Sequence, residues 1–131
     1  MDLRSFVFYT GLYNAGLATA LLFPAFSFGL LGLELHYPGN IMIAGFLYFT
    51  VALLIYCSRD VKKYATIIYY EGLLRLGEAA IMFHAAFNDG GFMFFFAAIG
   101  DLLIGLTYMI QLNRQTGNSH LDLLLARPAS A

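Results

Sequence analysis

Residues 64–87 read YATIIYYEGLLRLGEAAIMFHAAF, an apolar stretch long enough to cross a bilayer as a helix. Glu71, Arg75 and Glu78 interrupt it at positions i, i+4 and i+7, which places the three side chains within an arc of about 60° on one helical face. Charged side chains at membrane depth are costly and usually mark a working site. The stretch therefore predicts a membrane-spanning helix that presents ionisable groups to the interior of a bundle.

The composition of the whole chain is that of a membrane protein. Of its 131 residues, 60% are hydrophobic and 11% are charged. The apolar share is far higher, and the charged share far lower, than in soluble domains. Four long apolar runs leave only short connectors between them. We therefore expect an all-α fold, a bundle of four transmembrane helices that span residues 5–23, 41–58, 64–87 and 92–112.

Two segments outside the predicted spans have their own expected structures. Pro24 breaks the first apolar run, and residues 25–33 are apolar but too short to cross a bilayer alone. We expect a short interfacial helix there, after the first span. Residues 113–131 are mostly polar and predict a flexible cytoplasmic tail.

The distribution of basic residues predicts the orientation in the membrane. Outside the spans, Lys and Arg occur only near the N-terminus, in the second connector and in the C-terminal segment, at Arg4, Arg59, Lys62, Lys63, Arg114 and Arg127. Because basic residues collect on the cytoplasmic side, both termini are expected in the cytoplasm. The predicted location is the bacterial inner membrane, with a multi-pass topology.

Polar residues from all four predicted spans lie at similar depths. At a rise of about 1.5 Å per residue, Arg75 and Glu78 lie roughly 17 to 21 Å into the third span, and Asp101 lies roughly 14 Å into the fourth. Asn14 and Thr50 fall near the middle of the first two spans. Positions facing lipid would leave these groups unpaired at a cost of several kcal/mol. We therefore expect them to meet in one interior layer.

Charge counting suggests roles for these side chains. Three acids, Glu71, Glu78 and Asp101, face the single base Arg75, which stays protonated and organises them. At least one acid is then left over, so we expect Glu78 or Asp101 to be neutral near neutral pH and able to donate a proton. Glu78 and Asp101 are the candidate acid and base. The candidate ligand-binding residues are Asn14, Glu71, Thr50 and Tyr108.

Three interpretations of this cluster remain open. It forms a structural ion-pair network that fixes helix register, a ligand-binding or catalytic site, or a proton-coupled transport site. Glu71 lies nearest the cytoplasmic edge, where it is able to snorkel, and has the strongest structural interpretation. The sequence predicts no metal site and no cofactor, and the absence of a basic stripe argues against nucleic-acid binding.

Glycines within the predicted spans are expected to let helices approach closely, as small residues do between membrane helices. These glycines are Gly11, Gly16, Gly72, Gly77, Gly100 and Gly105.

Three segments of the chain resemble a family of small bacterial membrane proteins. They are GLATALLFPAFSFGLLGL at residues 16–33, RDVKKYATIIYYEGLLRLGEA at residues 59–79 and IGDLLIGLTYMI at residues 99–110. The chain resembles the four-helix proteins described as DoxX-like. The resemblance implies a four-span fold and, for some members, a role as accessory subunit of a quinone-linked sulfur oxidoreductase.

The leading functional hypothesis is an integral membrane protein whose interior cleft binds a lipophilic small molecule. Proton-transfer chemistry such as isomerisation or cyclisation fits, because the sequence has no nucleotide fingerprint, metal cluster or serine elbow. The alternative is an accessory subunit that binds other membrane subunits, favoured by small size, short connectors and the aromatic run at residues 92–96. A proton-coupled transporter is the third hypothesis. Homo-oligomers are compatible with all three.

Overall fold

The computed structural model describes residues 2–23, 25, 37–89 and 92–127, and all regular secondary structure within these ranges is α-helical. The all-α class predicted from the sequence is confirmed for this part of the chain. The predicted interfacial helix at residues 25–33 lies outside the described residues except for its first position. The helices are α1 (Leu3–Leu21), α2 (Tyr37–Cys57), α3 (Ala65–Asp89), α4 (Phe92–Thr116) and α5 (His120–Leu124).

The first two helices form an antiparallel pair. Asn14 is hydrogen-bonded to Thr50, and Thr19 is hydrogen-bonded to Tyr48. Residues later in α1 therefore contact residues earlier in α2, which shows that the two helices run in opposite directions. Gly11 lies in the contact, because a Cβ there would be 3.3 Å from the side chain of Ile55.

Helices α3 and α4 form the second antiparallel pair, which is the most extensive helix contact in the described part of the chain. Arg75 pairs with Asp101, and the rings of Phe83 and Phe95 meet edge to face with centroids 5.5 Å apart. Direct contact between α2 and α3 is sparse. The two pairs therefore leave a gap between them on that side.

Ring contacts connect the helix ends. Phe6 near the start of α1 packs edge to face on Tyr108 near the end of α4, with centroids 5.5 Å apart. Tyr64, just before α3, donates a hydrogen bond of 2.8 Å to Tyr56 near the end of α2. Neighbouring helices thus alternate in direction. The segments that contain Arg4, Arg59, Lys62, Lys63, Arg114 and Arg127 therefore lie at one end of the molecule, called the basic end below. The buried apolar core is concentrated there and includes Leu3, Val7, Leu54, Cys57, Val61, Ala65, Ile68, Tyr108, Leu112 and Leu123.

Within the described residues, two helical segments, Pro38–Cys57 and Phe94–Thr116, are long and apolar enough to cross a membrane, with mean hydropathies of 2.0 and 1.7. Helix α3 has 25 residues, as many as α4, but its charged side chains lower its mean hydropathy. The exterior is also apolar: Met42, Ile81 and Phe87 are 76%, 72% and 77% exposed. Surfaces of this kind are rare on soluble monomers.

Within the predicted tail, the structure describes residues 113–127, and they contain regular helical structure. Helix α4 continues to Thr116, and α5 then packs on α3. Leu123 is 1% exposed, and the Tyr70 hydroxyl donates a hydrogen bond of 2.6 Å to the carbonyl oxygen of Leu124. The physical reason is the apolar patch at residues 121–125, which α3 provides a surface to bury.

A capping box fixes the start of α5. The Asp122 amide donates to the Ser119 hydroxyl oxygen at 3.1 Å, while the Ser119 amide donates to Asp122 Oδ2 at 3.2 Å. The Ser119 hydroxyl also donates to this carboxylate. These hydrogen bonds favour the ionised form and hold the pKa of Asp122 below its usual range.

Replacing Ser119 with alanine is expected to loosen α5 and return the pKa of Asp122 toward its unfolded value. In the wild type, a lowered folded pKa means that the stabilisation of α5 is present above the unfolded pKa of about 3.9 and is lost as the pH falls through the folded value. Amide hydrogen exchange across α5 and an NMR titration of Asp122 measure both effects. Thr107→Ala, which removes a hydroxyl bonded within α4, is the control. Unchanged exchange in Ser119→Ala would contradict the capping role.

Candidate functional site

Arg75 is the centre of a buried polar network and is 4% exposed. Its Nε donates to Glu71 Oε1 at 2.9 Å, one turn earlier in α3. Its Nη1 donates to Asp101 Oδ1 of α4 at 2.5 Å, and its Nη2 donates to Asn14 Oδ1 of α1 at 2.7 Å. The planar guanidinium therefore joins three helices with a separate nitrogen for each partner.

Asn14 extends the network from Arg75 to α2. Its Nδ2 donates to the Thr50 hydroxyl oxygen of α2 at 3.1 Å, and that hydroxyl donates to the carbonyl oxygen of Leu47 at 2.8 Å. Asn14 and Thr50 are 1% and 6% exposed. The structure thus brings Asn14, Thr50, Arg75 and Asp101 into one interior layer, as depth counting predicts. Their assignment as ligand-binding or catalytic residues stays a prediction.

Glu78 lies close enough to Arg75, Glu71 and Asp101 to interact with their charges, but it is not hydrogen-bonded into this layer as the sequence-based expectation implies. It is half-buried and, among the described residues, forms no hydrogen bond or ion pair. The reason is the direction of helical side chains, which lean toward the N-terminus of their helix. Arg75 therefore reaches back to Glu71, and its remaining nitrogens are taken by the neighbouring helices.

Glu71 also differs from its expected position at the cytoplasmic edge. Its side chain is only 12% exposed and is paired with Arg75, so it does not snorkel. One carboxylate oxygen accepts the Arg75 hydrogen bond. The other, Oε2, is buried and has no hydrogen-bond partner among the described residues. Glu71 is therefore the network's one acid with a buried oxygen left unused.

Tyr108 is a core residue rather than a ligand-exposed or interfacial one. It is fully buried, and its hydroxyl, near Thr10, forms no hydrogen bond of standard geometry within the described part of the chain. The cause is the close contact of α3 and α4, in which a Cβ on Gly72 would lie 3.2 Å from Tyr108 Cβ. The predicted role of Tyr108 in ligand contact therefore lacks access.

The gap between α2 and α3 forms a cleft of about 280 Å³. Its walls are almost entirely apolar. Besides Tyr70, whose hydroxyl is bonded to the Leu124 carbonyl oxygen, Thr50 and Glu71 are the lining residues with side-chain oxygen atoms. Thr50 belongs to the Arg75 network, so the cleft and the network meet at these two residues. The remaining lining residues are Phe46, Phe49, Leu53, Leu54, Cys57, Ile67 and Leu74.

This arrangement allows a specific kind of recognition. An apolar cleft with a few polar groups at one position binds a mainly apolar molecule and fixes its orientation. Glu71 lines the cleft, and its Oε2 is buried without a hydrogen-bond partner among the described residues, while Arg75 holds the carboxylate in place through Oε1. Glu78, Asp101, Asn14 and Tyr108 do not line the cleft.

The cleft was not predicted from the sequence, although two of its lining residues were candidate ligand contacts. The sequence pattern that indicates the cleft is a row of mainly apolar residues at helical spacing on each of the two helices. Phe46, Thr50, Leu53 and Cys57 form one face of α2, and residues 67–74 supply the facing stripe of α3. The sequence does not reveal that these faces stand apart rather than pack together.

Comparison with known proteins gave no relative for this chain. No family model, no curated protein and no solved structure matches it. The resemblance to DoxX-like proteins therefore stays a prediction from the three sequence segments.

Proposed function

We propose that this chain is a four-span integral membrane protein that binds a lipophilic small molecule in the cleft between α2 and α3. The single observation that carries the proposal is Glu71 Oε2, a buried carboxylate oxygen that has no hydrogen-bond partner among the described residues and belongs to a side chain lining a largely apolar cleft. An unsatisfied buried carboxylate oxygen is costly unless another group completes its hydrogen bonding.

The four-span arrangement is supported by the location of polar and apolar side chains. Arg75 and its partners are buried between the helices, where lipid does not reach them. Large apolar side chains are exposed along all four long helices. In this proposal α1 and α3 cross the membrane beside α2 and α4, and the basic end faces the cytoplasm of a bacterial inner membrane.

The proposed ligand has an apolar body and one hydrogen-bond donor, such as a hydroxyl or an amine. The apolar body replaces lipid against the aromatic and aliphatic walls. The donor reaches Glu71 Oε2, and the Thr50 oxygen lies in the same cleft. A molecule without the donor would bury the apolar surface but leave the carboxylate oxygen unpaired.

Proton-transfer chemistry, such as isomerisation or cyclisation, is a proposed extension of binding. Glu71 is the carboxylate that lines the cleft in the described structure, so the first proton transfer would involve Glu71 rather than Glu78 or Asp101. Arg75 and Asp101 then serve as positioning residues. Glu71→Gln, which keeps the side-chain shape, would abolish such chemistry while retaining part of the binding.

Blocking the cleft is expected to remove the ligand. Leu74→Trp places an indole ring at a lining position where the leucine is 42% exposed. Leu103→Trp makes the same change on α4, where the leucine is 60% exposed and outside the cleft. Each variant is purified in mild detergent, and extracted molecules are measured by mass spectrometry. We expect the wild type and Leu103→Trp to retain a lipophilic molecule, and Leu74→Trp to retain about tenfold less.

Two results would contradict the cleft proposal. Equal retention in Leu74→Trp and Leu103→Trp would show that the molecule binds elsewhere on the apolar exterior. Recovery of other membrane proteins in fixed proportion, with no lipophilic molecule, would instead favour the accessory-subunit hypothesis.

A further inference from the structure

A second pocket, of about 390 Å³, lies at the basic end between the start of α1 and the end of α2. Unlike the cleft between α2 and α3, it is lined about equally by polar and apolar atoms. Its α1 side consists of Arg4, Ser5, Phe8 and Tyr9, and its α2 side consists of Ile55, Ser58 and Arg59.

Two arginines contribute the positive charge of this pocket. Arg4 and Arg59 are both exposed, and neither side chain forms an ion pair or hydrogen bond within the described residues. None of the described residues that line the pocket has a carboxylate. Of the neighbouring acids, Asp60 accepts a hydrogen bond from the Lys63 amide, and Asp2 precedes α1 without capping it through its side chain. The described lining therefore contributes two positive charges and no negative one, and Asp2 and Asp60 are the acids nearest to it in the sequence.

We propose that Arg4 and Arg59 bind the phosphate of an anionic phospholipid at the basic end. A guanidinium presents paired N–H donors that match phosphate oxygens, and the two guanidiniums, one from each side of the pocket, would contact one phosphate together. Phe8, Tyr9 and Ile55 supply the apolar surface that a free anion would not use and that the glycerol and upper acyl chains would cover. The inference rests on the proposed membrane location and is independent of the cleft.

The position along the helices agrees with this assignment. Arg4 lies in the first turn of α1, and Arg59 follows the end of α2, so both lie at the level where a spanning helix meets the headgroups. Lys62 and Lys63 in the adjoining connector add attraction for an anionic surface. Tyr9, which is 59% exposed, is an interfacial residue in this arrangement.

Native mass spectrometry of the full chain in detergent tests the site with three probes: phosphatidylglycerol, diacylglycerol and inorganic phosphate. We expect phosphatidylglycerol to bind and diacylglycerol to bind at least about tenfold more weakly, because it lacks the phosphate. We expect inorganic phosphate neither to bind measurably nor to displace the lipid. Diacylglycerol binding as tightly as phosphatidylglycerol, or phosphate competing at similar concentration, would overturn the proposal.

Charge-matched variants locate the site. Arg4→Gln and Arg59→Gln are each expected to weaken phosphatidylglycerol binding about fivefold, and their combination about 25-fold. The control Arg114→Gln with Arg127→Gln removes the same charge from exposed positions outside the pocket and is expected to change binding less than twofold. Equal weakening in both double variants would show general electrostatic attraction and overturn the site. Leu74→Trp, which tests the cleft, is expected to bind phosphatidylglycerol like the wild type.

Discussion

Arg75→Leu is expected to lower the free energy of unfolding by about 3–5 kcal/mol, the largest loss for any single substitution considered for this chain. The change removes hydrogen bonds to Glu71, Asp101 and Asn14 together. It also leaves the Glu71 and Asp101 carboxylates buried without their positive partner. Most of the expected loss comes from these unpaired groups rather than from the net strength of the original bonds.

Unfolding in detergent, followed by circular dichroism during heating or titration with a denaturing detergent, measures this loss. Arg114→Leu is the matched control, because Arg114 is exposed in the last turn of α4, and we expect a change within about 0.5 kcal/mol. Adding Glu71→Leu and Asp101→Leu to Arg75→Leu should recover much of the stability, since apolar side chains often replace a buried ionic cluster without loss. If Arg75→Leu alone is as stable as the wild type, the network is not what holds the four helices together.

The structural and ligand-binding interpretations of this cluster are compatible. Three guanidinium nitrogens and the Asn14 amide account for contacts between α1, α2, α3 and α4, which is a structural role. Glu71 Oε2 takes no part in those contacts, and Glu71 is one of the two residues at which the cleft meets the network. The same arginine that fixes the helices thus fixes the direction of the free oxygen.

The layer formed by Asn14, Thr50, Arg75 and Asp101 could be predicted from the sequence for a geometrical reason. Where a short connector joins two antiparallel helices, the end of the first and the start of the second lie at nearly the same level, so the number of residues from the connector gives the height of a side chain. Long apolar segments also define helix positions well, and the predicted spans differ from the observed helices mainly at their ends. Counting along the chain therefore recovers which groups share a level.

The same counting fails for groups whose role depends on direction or on the distance between helices. Glu71 and Glu78 lie on one face of α3, yet only Glu71 meets Arg75, because the arginine side chain leans toward the start of its helix. The burial of Tyr108 depends on the close contact at Gly72, and the cleft depends on α2 and α3 standing apart. The spacing of residues along one helix determines neither the distance between α3 and α4 nor the distance between α2 and α3.

The glycines show this limit most clearly. All six were expected to allow close helix contact, but a Cβ at Gly16, Gly77 or Gly100 would meet no described atom within 4 Å. Those three predictions are wrong for the described part of the chain. The other three glycines lie in contacts, Gly11 between α1 and α2 and Gly72 and Gly105 between α3 and α4. Only the rotation of each helix about its axis distinguishes the two groups.

Gly105→Ala and Gly100→Ala are therefore expected to have opposite effects on stability, although both lie in α4. A Cβ at Gly105 would lie 2.8 Å from the Gly72 carbonyl oxygen and 3.0 Å from a Leu76 methyl group. The carbonyl belongs to the α3 backbone, so it moves only if the helices separate. We expect a loss of about 1–3 kcal/mol from this overpacking. At Gly100 the added methyl enters open space, and alanine is expected to gain up to about 1 kcal/mol from its higher helix propensity.

The pair of variants also tests whether the α3–α4 distance controls the ion pair. Asp101 lies one helical turn before Gly105, so separating the helices there lengthens the contact between Asp101 and Arg75. Gly105→Ala should then cost less in the Arg75→Leu background than in the wild type, because the ion pair is already lost. Gly100→Ala should have the same effect in both backgrounds. Denaturation of the four proteins in detergent measures these differences, and equal effects of the two alanine substitutions would mean that the close contact at Gly105 does not set the helix distance.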